Sequence, residues 1–392
     1  MRLSLKVNVF TRVLGFSALV LGAVVTAGVV YAAQEHAKPN LVQLPAQPEG
    51  VSFPTNGWQV EDGKSAKIAA IANSAFDNSN KSLGETRALL VIKGGKIVYE
   101  NYGKGYDKDS KLISWSMGKS ILSALVGIEI AQNKMKLDDA INDPHYKDGD
   151  TRRKITYKQA LNMTDGLDWR EENYSDPINN DAAIMLFGAG KEDVVKYVTN
   201  RKQKHDAGTY WNYSSGTSNM VAAGASRALG PRDIKDPTGR ARFRNFIYTE
   251  LFQKIGMKDT AAEFDAAGNL YASSFFYATA RDYAKFGLLF LRDGVWDGKR
   301  ILPQGYVDFV RTPVEAQNAA NYGAHWWLNF KDRKPLLKNS PEDAFMARGH
   351  QGQLVVVIPS KDMVVVRLGL SPDENSWQAI GEYMDKVIAS AD

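Results

Sequence analysis

The hydrophobic pattern along the chain changes period several times, and those changes divide it. Val13 to Ala33 is apolar or small throughout. Gln34 to Asn56 loses all periodicity and carries prolines at positions 39, 45, 48 and 54, which predicts an extended tether. From Lys64 to Asn78 the apolar positions Ile68, Ile71, Ala72 and Phe76 fall at helical spacing. Ala88 to Ile92 and Lys96 to Tyr102 read as a hairpin closed by Lys93-Gly94-Gly95-Lys96. Ser120 to Ala131 is a strongly apolar run. Beyond it, helices are predicted over Thr156 to Met163, Glu192 to Asn200, Thr217 to Leu229, Ala241 to Ile255 and Thr279 to Leu291. Strand pattern returns at Gln353 to Ile358 and Met363 to Leu370, on either side of the turn Pro359-Ser360-Lys361-Asp362. Asn375 to Ile388 closes the chain as an amphipathic helix, with Trp377, Ile380, Tyr383, Met384 and Val387 on one face.

Strands at both ends with a helical body between them predict a mixed α/β (α+β) fold. One antiparallel sheet is built from both chain ends and flanked by helices, and a mostly helical lobe is inserted into it. The expected division is an α/β lobe over residues 57–115 and 340–392 and a helical lobe over 116–339. The cleft between the lobes is the natural place for a site.

Composition changes this picture mainly at the start. Arg2, Lys6 and Arg12 precede the apolar run, and Val30-Tyr31-Ala32 resembles the small-residue pattern before a cleavage site. Residues 1–33 therefore read as an export signal, with a periplasmic destination; the run is long enough that an uncleaved inner-membrane anchor is the alternative. Taking those three cations away lowers the formal net charge from +5 to +2. No basic cluster is interleaved with aromatics, so nucleic acid is not expected as a partner. There is no cysteine, which excludes disulfides and thiol catalysis.

The strongest chemical signal is Ser116-Met117-Gly118-Lys119, the one Ser-x-x-Lys in the sequence, opening the apolar run. Residues three apart on a helix share a face, so the hydroxyl and the amine meet. Serine needs a base to become nucleophilic, and a lysine kept neutral by burial can serve. Ser116 would sit at the helix start, capped by Ser114, where unpaired N–H groups favour a developing oxyanion. Gly118-Lys119-Ser120 is no P-loop, because Ile113 stands where that motif needs glycine. There is no Gly-x-Ser-x-Gly elbow. The five histidines, at 36, 145, 205, 325 and 350, show no metal-ligand spacing, so no metal or cofactor is expected. Glu171-Glu172 reads as a solvated acidic face.

With these elements in place the chain resembles the serine β-lactamase and penicillin-binding superfamily, class C-like. Asn212-Tyr213-Ser214-Ser215-Gly216 resembles its Tyr-x-Asn motif, with Ser215 in place of asparagine. Gly349-His350-Gln351-Gly352-Gln353 resembles its Lys-Thr-Gly motif, with His350 for the lysine and Gln351 for the threonine. Leu161 to Trp169, Tyr271 to Leu302 and Tyr322 to Trp327 are similar in style, so the resemblance spans roughly residues 57–390. The nearest branch is that of 6-aminohexanoate-dimer hydrolases and related carboxylesterases. There a loop tyrosine contacts the substrate, and Tyr174 fits that place.

The resemblance implies acyl transfer. Ser116 attacks an amide or ester of a small molecule, and Lys119 and Tyr213 share the proton transfers, with the division between them left open. The backbone N–H groups of Ser116 and Gln353 form the oxyanion hole, and Tyr174, His350 and Gly352 line the substrate. Two other functions fit the same residues: a β-lactamase or DD-peptidase, and a non-catalytic sensor on the same fold. The missing third-motif lysine weighs against β-lactams, although Arg348 is a substitute for it.

Overall fold

A computed structural model describes residues 40–61, 66–77, 80–172, 174–230, 236–372 and 376–392. The segment read as an export signal lies outside the described residues.

The sheet has seven strands, all paired antiparallel. They are β1 (Glu85–Lys93), β2 (Lys96–Tyr102), β3 (Tyr322–Gly323), β4 (Trp326–Leu328), β5 (Phe345–Gly349), β6 (Gln353–Ile358) and β7 (Met363–Leu370), in spatial order β2-β1-β7-β6-β5-β4-β3. The two ends of the chain meet at the β1–β7 ladder, where Leu90 faces Val366 and Ile92 faces Val364. This is the discontinuous sheet that the pattern predicted.

Nearly every residue of β6 and β7 is buried, because both faces are covered. On one face Leu90, Ile92, Val355, Val357, Val364 and Val366 join the large core. Helices α2 (Met117–Ala131) and α4 (Ala280–Leu291) pack there. On the other face Leu89, Val91, Val356, Ile358 and Val365 form a second core with α1 (Ala66–Ala72) and α5 (Ser376–Ser390). The inserted lobe centres on α3 (Ser215–Ala228), which lies against α2. The predicted helix at Thr156 begins with a capping box: Thr156 accepts from the Gln159 amide while the Gln159 side chain accepts from the Thr156 amide.

Two expectations need correction. First, the sheet takes elements from the stretch assigned to the helical lobe. Strands β3 and β4 extend it, and α4 backs it. The reason is burial: Trp326 and Leu328 enter the core beside Phe345, and no helical face accounts for them. Second, residues 40–61 are extended but not a free tether. Phe53 packs on Trp296 with ring centroids 4.9 Å apart, and the Trp296 indole donates to the Thr55 hydroxyl at 2.7 Å. Trp58 donates to the Arg281 carbonyl at 3.3 Å, and Arg292 donates to the Gln47 side chain at 2.7 Å. Val60 bridges to Ile97. Prolines exclude regular structure here, while the aromatic side chains between them dock the segment as a strap.

Helix α2 also buries an acid. Glu129 is fully enclosed, and among the described residues neither carboxyl oxygen has a hydrogen-bond partner. Burial pushes its pKa up to about 9 against a weaker pull from Lys134. The folded state therefore holds a proton that the unfolded chain gives up above the ordinary glutamate value of about 4.3. Stability is then highest at acid pH and falls as pH rises toward 9, by about 4 kcal/mol at pH 7. Glu129→Gln removes that penalty. Its Tm should exceed that of the parent at pH 8 and draw level near pH 5; a constant difference across that range, measured by thermal denaturation, would discount the buried proton.

Candidate active site

Strand Leu112–Ile113 pairs with Phe276–Ala278, and this small sheet delivers the chain to the start of α2. Trp115, just before the helix, has φ 44°. A non-glycine residue in left-handed backbone stores strain of about 1–3 kcal/mol, and such residues gather where a site must be held in one shape. Trp115 is pinned by Phe275, Phe187 and His350, at centroid distances of 6.0, 6.3 and 5.5 Å. Ser116 holds the N-cap position of α2 with helical backbone angles, φ −63° and ψ −6°, and its side chain makes no capping bond. The expected cap, Ser114, is engaged elsewhere: its hydroxyl donates to the Ser274 carbonyl at 2.7 Å and accepts from the Phe276 amide at 3.2 Å. The Ser116 hydroxyl is thus left toward the cleft, while the Met117, Gly118 and Lys119 amides, expected to be unpaired, donate to the Ser114, Trp115 and Ser116 carbonyls at 3.2, 2.9 and 3.1 Å.

Lys119 reaches back along the same face, as its spacing predicts. Its Nζ lies 2.9 Å from Ser116 Oγ, 2.9 Å from Ser215 Oγ and 3.2 Å from the Ser273 carbonyl. The side chain is 1 % exposed. Burial pulls its pKa down to about 8, with the Glu171 carboxylate opposing the fall.

Glu171 is the residue that the sequence reading missed. It is buried, while its neighbour Glu172 is exposed. Its oxygens accept from Ser215 N (2.6 Å), Ser215 Oγ (2.6 Å), Trp169 Nε1 (2.7 Å) and Tyr174 OH (2.8 Å). Ser215, at the first turn of α3, therefore bridges Lys119 to a carboxylate. It fills the place of the motif asparagine with a hydroxyl that accepts on one side and donates on the other. The one hint in the sequence was the spacing of Trp169, Glu171 and Tyr174, which brings two donors to one acid.

Tyr213 stands over Lys119, with the ring centroid 4.8 Å from Nζ. Its own ring is held among Trp327 (5.5 Å), Tyr322 (6.1 Å) and Trp211 (6.4 Å). Burial, then the Glu171 charge, push its hydroxyl pKa well above the ordinary 10, and hydrogen bonding to Ser116 works the other way.

The third motif lies differently from expectation. The backbone bordering Ser116 is the end of β5, before the turn, not the strand after it. Strand β4 pairs with β5 only at Phe345 and Met346, so the edge at Ala347–Gly349 stays open for the start of α2. A Cβ on Gly349 would meet the Ser114 carbonyl at 2.2 Å, so the approach demands glycine. Gly349 and His350 line the cleft with Ser116, whereas Gly352 and Gln353 do not. Gly352 turns to the back of the sheet at φ 83°, where a Cβ would sit 2.2 Å from Arg367 Nη1. Gln353 pairs opposite Gly349 and spends its side-chain amide on Gly369, donating at 2.7 Å and accepting at 3.0 Å. Both residues serve the hairpin. Of the residues expected at the substrate, Tyr174 and His350 are there, 5.1 Å apart as a tilted pair on the rim.

The cleft that these residues enclose measures about 400 Å³. A larger groove of about 640 Å³, around Asp138, Lys158 and Glu315, shares no residue with it.

Comparison with known proteins bears on this constellation. The family model described as Beta-lactamase matches residues 84–377. The chain belongs to the beta-lactamase family. The 6-aminohexanoate-dimer hydrolase of Paenarthrobacter ureafaciens is 23 % identical over 319 residues, 75 % of this chain and 76 % of that protein. A solved structure named as a candidate 6-aminohexanoate-dimer hydrolase from Bacillus anthracis superposes with TM-score 0.65 at 20 % identity, covering 90 % of each chain. A hydrolase with promiscuous acyltransferase activity matches at TM-score 0.61 and 15 % identity, over 83 % of this chain and 98 % of its own. The beta-lactamase family to which the chain belongs is one of serine hydrolases, and the expected fold is the one observed.

The charge balance around Lys119 is open to measurement. Its ammonium should titrate near pH 8 in nitrogen-observed NMR of the folded protein. Glu171→Gln removes a neighbouring negative charge that favours the cation, so the midpoint should move down. A midpoint that stays put or rises would show that Glu171 is not felt at Nζ.

Proposed function

We propose that this serine hydrolase is an exported amidase or esterase that cleaves a linear amide or ester through an acyl-serine intermediate. The observation that carries the reading is the 2.9 Å contact between Ser116 Oγ and a lysine whose pKa is lowered to about 8. At pH 7 roughly a tenth of such an amine is neutral, enough to act as a base. Lys119 takes the Ser116 proton while Oγ bonds to the carbonyl carbon, and the charge passes to the carbonyl oxygen. The Ser116 amide and the Gly349–His350 backbone, which border the cleft, are the proposed oxyanion donors.

Tyr213 keeps its proton at neutral pH because its pKa is raised. That favours Lys119 as the base and Tyr213 as the acid. The tyrosine hands a proton to the departing nitrogen or oxygen as its bond to the acyl carbon breaks, and is reprotonated from Lys119. Water then attacks the acyl carbon and gives its proton to Lys119; Ser116 Oγ leaves and recovers a proton. The sum is one water consumed, one acid and one amine or alcohol released.

The similarity to a 6-aminohexanoate-dimer hydrolase supports a linear amide over a β-lactam, as does His350 in the place of the motif lysine. Residues 1–33 are proposed as the leader. The chain recovered from a periplasmic extract should begin near Gln34 by N-terminal sequencing; an intact Met1 in the membrane fraction would mean an anchor instead.

Ser116→Ala should lower p-nitrophenyl butyrate turnover by about a thousandfold or more with Tm unchanged, and Lys119→Ala nearly as much. For the parent protein kcat/KM should rise with pH through about 8 and then level, since the base acts when neutral. A fluorophosphonate should add its mass to the Ser116 peptide. Undiminished turnover by Ser116→Ala would end the proposal, and turnover of a chromogenic cephalosporin above that of linear substrates would reassign it to β-lactams.

A further inference from the structure

Ser116 stands at the junction of two clefts of opposite character. One is the 400 Å³ cleft already described, bordered by Tyr213, Asn212, Asn318, Trp327, Trp377 and Arg348. The other measures about 230 Å³ and is walled by Trp115, Pro177, Ala182, Ala183, Leu186 and Phe187. Ser116, Glu171, Tyr174 and His350 border both, so the Tyr174–His350 pair forms the partition.

Arg348 is the distinctive group of the first cleft. Its guanidinium carbon lies 4.5 Å from the Trp327 ring centroid and 4.1 Å from that of Trp377, so an indole covers each side. Among the described residues it forms no ion pair and no hydrogen bond, and its Nε is buried without an acceptor. Burial lowers its pKa only to about 10, so it stays a cation at neutral pH. A guanidinium with both faces stacked and no protein carboxylate can be reached only in its plane. Two parallel N–H groups in that plane match a carboxylate. Glu172 also borders this cleft, but it is exposed and its charge is screened by solvent.

The two clefts also differ in their catalytic neighbours. Tyr213 borders the Arg348 cleft and not the apolar one. A leaving group must face the residue that protonates it. We infer that the site takes a substrate with two unlike ends: an apolar acyl chain beside Trp115, Leu186 and Phe187, and a leaving group whose carboxylate docks on Arg348. The class is an N-acyl amino acid or the corresponding ester of a hydroxy acid. The inference rests on the reading of Ser116 as nucleophile; the bond broken and the water consumed are those given above.

The test uses the folded protein and matched esters. 4-Acyloxybenzoates carry a carboxylate on the leaving group, and their methyl esters do not. The butyryl acid should be preferred over its methyl ester by about tenfold or more in kcat/KM, the usual worth of a charge-assisted pair. Arg348→Gln should bring that ratio close to one, and Arg348→Lys should restore part of it. Along the acyl series Phe187→Ala should reduce the preference for octanoyl over acetyl several-fold and leave the acid-to-methyl-ester ratio alone. A parent protein that turns over p-nitrophenyl butyrate but does not prefer the acid overturns the inference while the hydrolase reading stands. Failure to turn over p-nitrophenyl butyrate at all overturns the hydrolase reading itself. Two ratios that move together in Phe187→Ala would show that the clefts are not separate subsites.

Discussion

A buried amine that must be able to lose its proton is the constraint around which this structure is arranged. Lys119 has almost no contact with solvent, and burial alone would favour the neutral amine. Three oxygens hold it in place, and each comes from a different part of the chain: Ser116 on its own helix, Ser215 at the start of α3, and the Ser273 carbonyl before the small sheet. Glu171 stands one hydroxyl further away. At that remove it moderates the fall in pKa without pairing directly with the ammonium. A direct ion pair would hold the lysine protonated and remove the base.

The surroundings of Lys119 explain several odd choices nearby. Trp115 accepts a left-handed backbone because the turn must bring Ser116 out of the sheet and into a helix within a few residues. Ser114 gives up capping to tie that turn to Ser274 and Phe276. The short strand β4 leaves the end of β5 uncovered, and α2 uses that edge. The same helix carries Glu129, a buried acid whose carboxyl oxygens have no hydrogen-bond partner among the described residues. Within one helix, burial thus drives an amine and a carboxyl toward their neutral forms. Among the described residues only the amine has hydrogen-bond partners, the Ser116 and Ser215 hydroxyls and the Ser273 carbonyl.

Much of the architecture was legible in the sequence. The hairpin at Gly94-Gly95, the two C-terminal strands and the closing helix stood out because each has a clean period and turn chemistry at its ends. The Ser-x-x-Lys contact was legible for the same reason, since helical spacing alone brings the two side chains together. Glu171 was not. Two adjacent acids look alike in a sequence, and what separates Glu171 from Glu172 is a set of donors drawn from residues 169, 174 and 215. The part of the third motif that borders the cleft was misplaced because Gly352 and Gln353 match a motif in letters, while Gly349 is the glycine that approaches Ser114 and lines the cleft.

Local physics, then, was decided by the sequence itself: which segments are helix or strand, that the Ser116 hydroxyl and the Lys119 amine meet, and that both chain ends build one sheet. These depend on periods of two and 3.6 residues and on turn chemistry, which act over a few neighbours. The rest was decided by the tertiary structure. It chose the buried member of the acidic pair, docked the proline-rich strap through its aromatics, and turned the third-motif hairpin so that its first glycine faces the serine. It also set Arg348 between Trp327 and Trp377, fifty residues apart in sequence. Such outcomes depend on which distant groups exclude water from one another, and no local pattern encodes that partner list.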